Sequence, residues 1–158
     1  MHLRVEHSEV IVEEANELIR QRIRKIEELR EMGVSPYGGP FDASDHARDL
    51  SLRYAETTKE ELEATAVSCS LSGRIVAMRD FGKASFAHIQ DASGRIQLYF
   101  KKDILGENYG LLKKIDIGDI IGLRGRLFRT RTNELTVEVE GFVLLTKSVR
   151  PLPEKWHG

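Results

Sequence analysis

Between Val10 and Met32 the apolar residues Ile11, Ala15, Leu18, Ile19, Ile23, Ile26, Leu29 and Met32 recur at steps of three and four. That spacing lays one stripe along a helix. Ser8 stands where an N-cap belongs, with Glu9, Glu13 and Glu14 early in the helix, and Gly33 followed by Pro36 marks its end. In "SPYGGPFDASD" the pattern lapses, because Pro36, Gly38, Gly39 and Pro40 make a connector without regular structure. "TTKEELEATA" then offers a capping box, Thr58 with Glu61, that opens a short second helix.

After Ala66 the texture changes to β-branched runs separated by turns. Strands are predicted at about 67–78, 84–91, 95–101, 119–128 and 135–145, with "DILGENYGLLKKID" as a helix between the third and fourth. Five strands with a helix in that place is the layout of an OB-fold. The expected fold is therefore mainly β, a five-stranded Greek-key barrel preceded by an N-terminal α-helical extension. Residues 1–66 form the extension and connector, 67–149 the barrel, and 150–158 the start of a linker. A barrel of this kind binds ligands on strands 2 and 3, between the loops joining strands 1 to 2 and 4 to 5.

Period two sorts the faces of the hairpin "KASFAHIQDASGRIQLYF". Ser85, Ala87, Ile89, Ile96, Leu98 and Phe100 point into the barrel, which leaves Phe86, His88, Gln97 and Tyr99 outside. If "DASG" turns without a bulge, His88 lies opposite Gln97 and Phe86 opposite Tyr99. An aromatic ring with an amide beside it is thus mounted on the exterior. The loop "MRDFGK" brings Arg79 and Lys83 to one rim of this face, and "FRTRTNEL" brings Arg129, Arg131, Asn133 and Glu134 to the other. Any base can stack on such a ring, and only the amide, carboxylate and guanidinium groups read its edge. RNA or single-stranded DNA is the leading partner.

Charge sharpens this picture. Residues 1–66 hold nine Lys/Arg against fifteen Asp/Glu, whereas residues 67–135 hold twelve against seven. Only the barrel is basic, as a polyanion-binding region would be. The basic later half of the first helix, Arg20 to Arg30, reads either as a solvated face or as a handrail for a phosphate backbone. No window approaches eighteen consecutive apolar residues, and the first residues are too acidic for a secretory or transit segment. No membrane association and a cytoplasmic location are expected.

Chemistry has few footholds. There is no G-x-x-x-x-G-K-[ST], no G-x-G-x-x-G after a strand and no H-E-x-x-H. His2, His7, His46, His88 and His157 lack metal-ligand spacing, and Asp80, Asp91, Asp116 and Asp119 sit at turns and strand ends, where Asp belongs. Cys69 has no Cys partner and reads as a small core residue. No catalytic residue and no metal site are expected.

The stretches "SGRIVAMRDFGKASFAHIQDASGRIQLYF", "IDIGDIIG" and "LFRTRTNELTVEVEGFVLLTKSVRPLPEKWHG" closely resemble the anticodon-binding domain of class II lysyl-tRNA synthetases. "IRKIEELREMGVSPYG" resembles that family's N-terminal helix, so the likeness runs from about residue 11 to the end. "RPLPEKWHG" points to the lysyl branch rather than its aspartyl and asparaginyl relatives. The resemblance implies that the surface reads the uridine-rich lysine anticodon of a tRNA stem-loop. Phe86 matches the ring that stacks on the middle base, Gln97 and Arg79 match the groups that hydrogen-bond that uridine, and Glu134 matches a carboxylate near the first base. Asn133 departs from the glycine common there, although Asn tolerates positive φ. The family continues beyond "WHG" into a catalytic domain that binds ATP and Mg²⁺. The resemblance therefore implies no cofactor for this chain, no lysine activation by it alone, and a homodimer formed mainly through that other domain. A second reading is a stand-alone OB protein that binds single-stranded nucleic acid or a protein partner without sequence preference. Such a protein needs the ring and the basic rims but has no use for Arg79, Gln97 and Glu134 together.

Overall fold

The computed structural model describes residues 2–32 and 41–149, with side chains from residue 11 onward. Of the expected connector at 35–45, residues 35–40 lie outside the described residues, as does "RPLPEKWHG", while 41–45 have no regular structure, as the sequence predicts. Helix α1 spans His2–Glu31 and starts ahead of Ser8, which is therefore inside the helix and not its cap. Residues 3–7 contain neither Gly nor Pro, so nothing there interrupts the helix. The apolar stripe is buried only towards the C-terminal end, at Ile26 and Leu29, while its members Leu18, Ile23 and Met32 are exposed.

A short helix α2 (Ala47–Arg53) was not expected, since seven residues carry too little periodicity to see. Asp91 of the strand 2–3 turn holds it, accepting a hydrogen bond from the Ala47 N–H at 2.9 Å. Helix α3 (Lys59–Thr65) opens as its sequence predicts, with Thr58 Oγ1 accepting from the Glu61 N–H at 3.1 Å.

The strands are β1 (Ser68–Asp80), β2 (Ala84–Gln90), β3 (Arg95–Lys101), β4 (Ile120–Arg129) and β5 (Leu135–Thr146). They close into a barrel in the order β1-β2-β3-β5-β4. All neighbours are antiparallel except β3 and β5, which run parallel. One long strand serves two partners: β1 pairs with β4 over Ser68–Arg74, then with β2 from Arg74 to Asp80, bending at a bulge between Ile75 and Ala77. A second bulge follows Arg124 on the β4–β5 ladder, where a Cβ on Gly125 would stand 2.1 Å from the Glu138 carbonyl oxygen. Only glycine fits that approach. The β3–β4 insert is one α-turn, α4 (Lys102–Leu105), followed by a 3-10 segment at Gly106–Lys114 rather than a single helix.

Leu71, Ile75, Ile89, Leu98, Phe100, Ile121, Leu123, Val137 and Val139 fill the barrel. Ala47, Leu50 and Leu62 belong to the same buried cluster, so α2 and α3 share the barrel's core. Cys69 is buried as well, and desolvation, helped by Asp45 and Glu140, pushes its thiol up to about 12.

A polar cluster fastens α1 to one end of the barrel. Lys147 Nζ, on a fully buried side chain, donates to Asp116 Oδ2 at 2.7 Å and Asp119 Oδ2 at 2.6 Å. From α1, Lys25 donates to Asp116 Oδ1 at 2.6 Å and the buried Arg22 donates to the Ile117 carbonyl at 3.1 Å. Glu28 pairs with Lys114 alongside. Arg20 and Arg24 both reach Glu17 on their own helix. Much of the helix's basic half is thereby engaged with carboxylates and the barrel. No helix among the described residues is long and apolar enough to cross a membrane.

Candidate nucleic-acid interface

Strand register assembles the site in rungs. Arg79 of β1, Phe86 of β2 and Tyr99 of β3 lie side by side. The next rung is Ala77, His88, Gln97 and Thr136 across β1, β2, β3 and β5. The pairings expected of the "DASG" turn are those observed. Asp91 enforces that turn: its Oδ1 accepts from the Ser93 N–H at 2.8 Å, the Ser93 hydroxyl at 2.6 Å and the Gly94 N–H at 3.0 Å. Partial burial opposes its ionisation, but these hydrogen bonds and the one from Ala47 outweigh it and hold the carboxyl below the ordinary range.

On the outer face the aromatics form a row. Phe86 stacks on Tyr99 with centroids 4.7 Å apart, Phe81 meets Phe86 edge-on at 6.2 Å, and Phe128 lies 5.8 Å beyond Tyr99. Tyr99 thus braces the Phe86 ring in place. Phe81, 65% exposed at the β1–β2 turn, overhangs the same face and was not singled out from sequence. Its position in "RDFGK", an aromatic at a loop tip beside a stacking strand, was the available signal.

The β4–β5 loop closes the other side. Asn133 has φ 67°, as its tolerance of positive φ allows. The Thr130 N–H donates to the Glu134 carbonyl at 3.0 Å and the Asn133 N–H to the Thr130 carbonyl at 2.8 Å. This turn delivers the Glu134 carboxylate to His88, whose Nε2 is 3.1 Å from Oε2. Gln97, with its amide nitrogen turned towards Glu134, donates to Oε2 at 2.6 Å and Oε1 at 3.2 Å. The orientation is fixed by the network, since the opposite one sets oxygen against oxygen.

Between the loops lies a groove of about 480 Å³ that brings together Arg79, Phe81, Phe86, His88, Gln97 and Glu134. Lys83 and Arg131 are exposed on the flanking loops and do not line it. Arg129 is placed differently from the sequence expectation. It is 9% exposed, and its guanidinium donates to the carbonyls of Thr57 at 2.9 Å, Tyr54 at 2.6 Å and Asn133 at 3.1 Å. It ties the turn that follows α2 to the loop, a structural role in place of the exposed rim position the sequence suggests. Its parity with the buried Leu123 and Leu127 on β4 was the sequence signal for this. Among the described residues no group of three His, Cys, Asp or Glu side chains is placed to hold a metal ion.

An aromatic platform, edge-reading polar groups and cationic loops on one barrel face are suited to unpaired bases. The family model for the tRNA anticodon type of OB-fold nucleic acid binding domain matches residues 69–145. The chain is 48% identical to the lysine–tRNA ligases of Bacillus thuringiensis strain Al Hakam and of Bacillus anthracis over 147 residues, 92% of this chain. It is 47% identical to that of Bacillus cytotoxicus over the same length. The chain spans about 30% of the length of these relatives. Residues 69–145 are an OB-fold nucleic acid binding domain of the tRNA anticodon family, in a chain homologous to part of lysine–tRNA ligase.

Proposed function

We propose that the groove binds the anticodon loop of lysine tRNA and reads its middle uridine, as a component of cytoplasmic protein synthesis. The observation that carries this reading is the convergence of Phe86, Gln97 and Arg79 on one groove. A base laid on Phe86 presents its edge to an amide and a guanidinium. The Arg79 side chain has no hydrogen-bond partner among the described residues, and its five N–H donors are available for base or phosphate oxygens. Lys83 and Arg131 flank the groove, where they attract the phosphates on either side.

Phe86→Ala is expected to weaken binding of a UUU anticodon stem-loop by about 1–3 kcal/mol, the usual contribution of one base–aromatic stack. Other single-stranded uridine ligands lose affinity equally, because stacking hardly depends on base identity. Lys83→Ala instead flattens the salt dependence of binding. Fluorescence titrations at two salt concentrations measure both. Full affinity in Phe86→Ala would remove this face from the binding reaction.

A further inference from the structure

A free glutamine amide is ambiguous, since a half-turn about its last bond exchanges donor for acceptor. Uracil and cytosine differ by that exchange: uracil offers an N3–H donor beside a carbonyl acceptor, cytosine an N3 acceptor beside an amino donor. An unrestrained Gln97 satisfies either base. In the structure it is restrained. An oxygen facing the carboxylate would meet only acceptors, which assigns the nitrogen to that side, where it donates to Glu134 Oε2 at 2.6 Å and Oε1 at 3.2 Å; a carboxylate can only accept. Thr136 accommodates the same choice: with the nitrogen there, its hydroxyl accepts from Gln97 at 3.3 Å and gives its single hydrogen to the Glu134 carbonyl at 3.1 Å. His88 Nε2, 3.1 Å from Glu134 Oε2, anchors the carboxylate from the next strand.

We infer that Glu134 is a positioning residue that sets the polarity of the groove. By holding the nitrogen end of Gln97, it leaves only the carbonyl oxygen for a base. A donor-only Arg79 and an acceptor-only Gln97 then match the acceptor and donor of uracil and oppose those of cytosine. The inference rests on the anticodon reading above and adds the reason that an amide can discriminate there.

The test uses the whole chain, its Glu134→Ala variant, and stem-loops bearing UUU or UCU. Glu134 is exposed on a loop, so the variant is expected to fold, with circular dichroism as the check. The preference for UUU falls about fivefold or more, the scale of one base-edge contact, and part of that fall is tighter binding of UCU, because the freed amide can turn to face cytosine. A carboxylate that merely supported the loop would weaken both ligands alike, and that result, or an unchanged preference, overturns the inference. A readout without RNA separates the two claims. The side-chain NH₂ resonances of Gln97 in the free protein should be shifted from those of exposed glutamines and return to them in Glu134→Ala. Unshifted resonances in the wild type overturn the lock. Shifted resonances in a wild type with no preference for UUU overturn the anticodon reading and the base selection built on it.

Discussion

Lys147→Met is expected to lower the stability of the fold by about 3–5 kcal/mol, read as a shifted midpoint in urea unfolding. The ammonium is fully buried between Asp116 and Asp119, at 2.7 and 2.6 Å, and the Asp119 side chain is itself fully buried. Removing it strands carboxylate charge in the interior, which costs more than the pair contributes while intact. The same cluster holds Lys25 and borders Arg22, so the change also weakens the seat of α1 on the barrel. Replacing both Lys147 and Asp119 by apolar residues should cost less than the sum of the single changes, because no lone charge remains in the pair. Acid gives a second signature. Burial opposes ionisation of Asp116, but hydrogen bonds and charge from Lys147 and Lys25 prevail and hold its carboxyl below the ordinary value. A depressed folded-state value means that this contribution is complete above the unfolded value near pH ~4 and is lost as the pH falls through the folded one. The gap between wild type and Lys147→Met should therefore narrow below about pH 4. A gap that widens there would contradict the proposed pairing.

Arg129→Ala is expected to cost about 3 kcal/mol, with Arg129→Lys recovering little of it. A planar fork with spread donors reaches the carbonyls of Tyr54, Thr57 and Asn133 at once. A single ammonium cannot. The loss propagates to the groove, because Asn133 belongs to the turn that presents Glu134. RNA affinity should fall in step with stability. Arg131→Ala, at an exposed position two residues away, should leave stability within about 0.5 kcal/mol. Equal stability effects at the two positions would refute the structural role assigned to Arg129.

The contrast between these arginines shows what was legible in the sequence. Period two fixed the hairpin faces and a four-residue turn fixed its register, so Phe86, His88, Gln97 and Tyr99 were placed correctly from local pattern. The five strands followed from the same kind of signal, and the barrel from the OB-fold layout they share with the helix between the third and fourth. Arg129 has inward parity on β4, but as part of a basic loop sequence it reads as an RNA contact unless the carbonyls of residues 54–57 are known to lie against it. Those partners are some 70 residues away in the chain. Lys147 is harder still: "LLTKSVR" is an ordinary strand end, and its burial exists only because two aspartates of the β3–β4 segment meet it. Helix α2 escaped because seven residues cannot display a helical period. The Glu134–Gln97 contact escaped because it joins a loop to a strand, and nothing in either segment names the other.

The central claim is that this groove reads a uridine, and the most direct measurement is the ratio of affinities for UUU and UCU stem-loops in wild type and Gln97→Ala. Wild type should prefer UUU by about 1 kcal/mol or more, and Gln97→Ala should lose most of that preference through weaker binding of UUU, with its affinity for UCU unchanged or higher. A wild type indifferent to the substitution, or a Gln97→Ala variant that weakens both stem-loops equally, would contradict it and leave a single-strand binder without sequence preference.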